Sequence, residues 1–154
     1  MTQEEKQLLT VDVCVRLLYG VKVFDEDALN SYKVVLYDPA KGEIAIRHLE
    51  NSELRPILFP LSCLTREITV NGKVFVPLIE IAKMLYPELS GWAIVDGKAF
   101  TRDNGFPCYI TPDQILCATY DIFDRLNEWM IDYRGLIEKG LAVSVFSLSE
   151  NPYK

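Results

Sequence analysis

Two dipeptides govern what this chain can fold into: Asn71-Gly72 in the run REITVNGKVFVP and Asp96-Gly97 in GWAIVDGKAFTR. Both accept the positive φ angles of a type I′ turn, and both sit between short alternating runs, so they predict antiparallel hairpins over about 68–76 and 91–101. A third run, YKVVLYDPAKGEIAIR, joins two β-rich stretches through Asp38, Pro39, Ala40, Lys41 and Gly42, and predicts a hairpin over about 32–47. Helical patterns alternate with these hairpins. Pro77 suits a helix start, and LIEIAKMLY follows it until Pro87. The expected class is therefore α+β, not a doubly wound parallel sheet.

A long C-terminal helix is expected over about 112–131. Thr111 and Gln114 have the spacing of a capping box, and Pro112 and Asp113 suit the first turn. Ile115, Thr119, Ile122, Leu126, Trp129 and Tyr133 make its apolar stripe, spaced four and three alternately. Thr2 and Glu5 form a second capping box and open an N-terminal helix to about Leu18. In it Leu8, Val11, Val15 and Leu18 form a helical stripe. Val11, Val13, Val15 and Leu17 also alternate with Asp12, Cys14 and Arg16, which is strand periodicity. VKVF reads as a strand and DEDALNS as an acidic loop. LRPILFPLS, with Pro56 and Pro60, reads as extended chain at an edge or in a loop, because neither proline can donate to a ladder. LAVSVF reads as a final strand before a polar tail, SLSENPYK. A chain of 154 residues suits one domain, with 68–110 a candidate inserted hairpin, helix and hairpin module.

A formal charge of −6 with no run of Lys or Arg disfavours non-specific binding to nucleic acid. The opening MTQEEKQLL lacks the basic and apolar regions of a secretory leader, and no apolar run approaches the ~18 residues of a membrane span. A cytoplasmic protein with no membrane contact is expected. Cys14, Cys63, Cys108 and Cys117 are widely spaced, without the CxxC pairs of a zinc or redox site, and read as buried thiols.

Catalytic signals are weak. His48 is the one histidine, and nothing in the spacing pairs it with Ser62 or Cys63. No phosphate-binding glycine loop is present, and Asp25, Glu26 and Asp27 read as a solvated loop, so no metal and no cofactor are expected. Aromatic residues read mostly as core filling, with Trp92 and Tyr109 placed to line a groove.

In DYRGLIEKG, Asp132 suits the N-cap of a short helix YRGLIEK, Tyr133 continues the core stripe, Gly135 fits a tight junction and Gly140 a left-handed stop. Arg134 is left without a packing reason. It can pair with Asp132 or Glu138, or present its fork to an outside anion.

Three blocks, VCVRLLYGVKV, LRPILFPLSCLTREI and DYRGLIEKGLA, resemble a family of small proteins of Bacteroides-type phages and prophages. These carry similar LRP-S-MT and DYRGLI-KGLA signatures in the same order. About a third of the chain is covered, and TREIT stands where family members have an acidic run. The resemblance implies a mobile-element origin in a gut bacterium and supplies no catalytic residues. Taken together, the expectation is a non-catalytic interaction protein that binds a host or phage protein near Arg55, Arg134 and Tyr19. The other reading is a small-ligand or nucleotide-binding protein whose Arg16, Arg55 and Arg134 line a pocket.

Overall fold

The computed structural model describes residues 1–25, 32–34, 54–115 and 119–154. The chain divides into two compact units, one from Met1–Pro60 with Leu126–Pro152, the other from Leu61–Arg125 with Tyr153–Lys154. The 68–110 module falls within the second.

In the first unit, helix α1 (Gln3–Arg16) begins where Thr2 and Glu5 complete both arms of a capping box, at 2.6 and 3.2 Å. The hydrogen bond from the Thr2 backbone holds the Glu5 carboxyl below its ordinary value. A 3-10 turn, Leu17–Tyr19, and Gly20 end the helix, and strand β1 (Lys22–Asp25) follows. Strand β2 (Tyr32–Val34) pairs with it antiparallel, Val23 opposite Lys33. Asp25, expected in the acidic loop, is the last residue of β1, while the rest of that loop, most of the hairpin expected over 32–47 and His48 lie outside the described residues.

Strand β3 (Leu54–Pro60) corrects one expectation. It is the central strand of a mixed sheet, not an edge, and its Ile57, Leu58 and Phe59 are buried. It pairs antiparallel with β1. It also pairs with two two-residue strands, β9 (Ile131–Asp132), beside Phe59 and Pro60, and β10 (Val143–Ser144), beside Ile57 and Leu58. Both lie parallel to β3, so the sheet mixes parallel with antiparallel pairs. Pro60 ends the strand, whereas Pro56 lies within it, in register with Val23 of β1, and the parallel pairing with β10 starts just after it, at Ile57.

In the second unit, β4 (Ile68–Val70) and β5 (Lys73–Phe75) form the Asn-Gly hairpin, with φ of +51° at Asn71 and +76° at Gly72. Helix α2 (Pro77–Leu85) starts at the expected proline. Strands β6 (Ala93–Val95), β7 (Lys98–Thr101) and β8 (Cys108–Ile110) make a three-stranded antiparallel sheet around the Asp-Gly turn. Leu78, Ile81, Ala82 and Ala99 are among its buried residues. The polar tail does not dangle, because Tyr153 is buried and its carbonyl accepts the Asn71 N–H at 2.7 Å.

The single helix expected over 112–131 is divided into α3 (Pro112–Ile115) and α4 (Tyr120–Glu128): Thr119, expected on its stripe, is not helical, and residues 116–118 lie outside the description. It stops short of 131 because Met130 takes φ of +56° and turns the chain into β9, where its carbonyl accepts the Phe59 N–H at 2.8 Å. The short helix YRGLIEK is a series of turns. Its close keeps helical character, since Gly140 has φ of +71° and the Leu141 N–H bonds the Leu136 carbonyl, a Schellman pattern. LAVSVF contributes only β10 before a 3-10 turn, Val145–Ser147.

Candidate functional site

The first unit carries a buried ionic cluster centred on Asp12. Asp12 and Arg16 are one helical turn apart on α1, and both side chains are 0% exposed. The Arg16 guanidinium grips the carboxylate with two bonds, Nε to Oδ2 at 2.8 Å and Nη2 to Oδ1 at 3.1 Å. Its other contacts reach far along the chain: Nη2 donates to the Ile131 carbonyl at 2.8 Å and Nη1 to the Leu126 carbonyl at 3.4 Å. Leu126 belongs to the last turn of α4, where carbonyls lack helical partners and the dipole is negative. Arg16 therefore clasps the end of that helix and the strand after it.

Arg134 joins the same carboxylate, Nη1 to Asp12 Oδ1 at 2.8 Å, with its side chain 23% exposed. Tyr133 packs against both cations, its ring centre 5.6 Å from Arg16 Cζ and 4.7 Å from Arg134 Cζ. Two guanidinium groups thus share one carboxylate, and a positive charge is left over beside solvent.

Asp132 is not the partner of Arg134. Its buried carboxylate accepts the N–H of Leu136 at 2.9 Å and of Ile137 at 2.7 Å, which closes the loop that carries Tyr133, Arg134 and Gly135. Arg55 is half-buried on β3 in register with Phe24, and Tyr19 is half-buried at the turn after α1. Sequence reasoning missed Asp12. Its signal was the i,i+4 spacing to Arg16, which the strand-like alternation around it obscured.

The inward face of α1 combines Leu9 and Val13 with Asp12 and Arg16. The stripe of Leu8, Val11, Val15 and Leu18 faces outward, with Leu8 half-buried and Val11, Val15 and Leu18 exposed by 47%, 36% and 86%. Cys14 lies on this face and is exposed, which corrects the expectation of a buried thiol.

Cys63 is enclosed, and burial pushes its thiol up to about 11. It is protonated at neutral pH, the opposite of an activated nucleophile. Iodoacetamide at pH 8 should modify Cys14 and spare Cys63 in the native protein, read by peptide mass spectrometry. The folded state holds this proton more tightly than the unfolded chain. Stability should be intact below about pH 9 and decline as pH rises towards about 11, a slope that Cys63→Ala removes.

In the second unit, Val95, Asp96, Lys98, Phe100 and Tyr109 line a shallow groove of about 260 Å³. Lys98 Nζ lies 5.4 Å from the Tyr109 ring centre, an ordinary diagonal pair across neighbouring strands. Trp92 packs against Tyr86, with ring centres 6.2 Å apart, and does not line the groove. Among the described residues no three His, Cys, Asp or Glu side chains gather as a metal-ligand set, and no helix is long and apolar enough to cross a membrane. Comparison with protein-family models, curated proteins and solved structures finds no match.

Proposed function

We propose that this chain is a non-catalytic interaction protein of a phage or mobile-element module, acting in the cytoplasm by binding a host or phage protein. The observation that carries this reading is the outer face of α1 and the turn after it, where Val11, Val15 and Leu18 stand exposed while Leu9, Asp12, Val13 and Arg16 take the inner face. An exposed apolar stripe is unfavourable in isolation and gains from cover by a partner. Arg134 bonds Asp12 of the same helix and packs on Tyr133, and both are residue types enriched where binding energy concentrates. The arginine-lined pocket has less support, because Arg16 is fully enclosed and its contacts are internal.

The test compares the full chain with a Val11→Glu, Leu18→Glu variant as baits in bacterial host lysate. Both positions are exposed, so the variant should keep its thermal unfolding temperature. A protein retained by the wild type and lost by the variant is the expected result. Equal capture by both, or turnover of a nucleotide, ester or glycoside by the pure protein, would overturn the reading. A thermal shift with nucleotide, about 2.7 kcal/mol of stabilisation at 100 times Kd, would favour the pocket instead.

A further inference from the structure

We infer that the partner element seated on α1 is an amphipathic helix that places a carboxylate against Arg134, an inference that rests on the interaction reading above. The spacing of the outward stripe specifies a helix. Leu8, Val11 and Val15 on α1 repeat at three and four residues, the seam period at which one helix seats the side chains of another, and Leu18 follows three residues later on the 3-10 turn that ends the helix. An extended peptide repeats every two residues and would not follow it.

Charge specifies the carboxylate. Asp12 lies one step, about 100°, around α1 from Val11, so the Arg134 guanidinium bonded to it stands along one flank of the stripe. Its neighbours are the fully buried Asp12 and the Tyr133 ring, which pre-orient the fork and lower the entropy lost on binding. Asp12 already accepts from three donors of two arginines, so a further anion at Arg134 meets an excess of positive charge. A carboxylate one turn from the partner's own seam residues completes the pair.

The same geometry disfavours a second copy of this chain. In the antiparallel register that overlaps all four stripe residues, the Asp12 flanks of the two copies meet, and the two Arg134 groups face each other. In the parallel arrangement that flank meets Gln7 and Cys14, which carry no charge.

The probes are capped helical peptides of about three heptads, with leucine along the seam and one flanking residue set to glutamate, glutamine or lysine. Binding to the full chain is read by fluorescence anisotropy. The glutamate peptide should bind roughly tenfold tighter than the lysine peptide. Arg134→Gln should abolish that preference, Arg134→Lys should keep part of it, and Leu18→Glu should weaken all three peptides. Binding that Leu18→Glu weakens but that shows no preference for glutamate would overturn the carboxylate contact and leave the interaction reading standing. No binding by any peptide would overturn the helical partner, and the lysate comparison then judges the interaction reading separately. A dimer in sedimentation that Leu18→Glu dissolves would replace the foreign helix with a second copy.

Discussion

Replacing Asp12 with alanine is expected to lower the unfolding free energy by about 3–5 kcal/mol, the usual cost of stranding one member of a buried ion pair. Arg16 would keep its charge with 0% exposure and lose two of its four hydrogen bonds. Domains are commonly stable by only ~5–15 kcal/mol, so the variant is expected to sit close to unfolding at room temperature. Arg134→Ala removes a cation that is 23% exposed and should cost ~1 kcal/mol or less, since water screens that pair. Asp12→Leu combined with Arg16→Met replaces both charges by apolar groups of similar volume and should recover much of the loss. Urea titrations of the three variants give the comparison. A loss below ~1 kcal/mol for Asp12→Ala would show that water reaches the cluster and that the pair is not buried in solution.

The local elements of the fold were legible because their causes are local. A capping box, a proline at a helix start and an Asn-Gly turn each act within four residues, and α1, α2 and the β4–β5 hairpin lie where those signals put them. The centre of the first sheet was not legible. Proline in LRPILFP argued for an edge, yet β3 pairs with β9 and β10 as well as β1, and these two strands have two residues each, too short to show any alternation. Their pairing depends on the chain reversal at Met130 and on packing remote in sequence.

The stripe on α1 was legible as a stripe and illegible as a surface. Periodicity tells which residues share a face, not which face turns inward. The inward face joins Leu9 and Val13 to Asp12 and Arg16, and it is held partly by the carbonyls of Leu126 and Ile131, 110 and 115 residues from Arg16, which take up its donors. Arg134 was singled out for the same reason. No residue near it in sequence explained it, because its partner is 122 residues away on α1.

Asp132→Ala should cost about 2–3 kcal/mol, less than loss of Asp12 because no buried cation is stranded. Its carboxylate accepts two backbone N–H groups, from Leu136 and Ile137, and Leu136 is fully buried. Alanine leaves these donors without an acceptor where water has poor access. Asparagine keeps one acceptor oxygen and should recover about half. The change also separates anchoring from charge, since Arg134 rides on the loop that Asp132 closes. In hydrogen exchange, the Leu136 and Ile137 amides should lose protection while amides in the middle of α1 keep theirs. Binding of an acidic helical peptide should weaken as the guanidinium loses its fixed direction, although Arg134 itself is unchanged. Unaltered protection at Leu136 and Ile137 would mean that the loop holds its shape by other contacts. In that case the DYRGL segment owes its form to packing around Leu136 and not to its first residue.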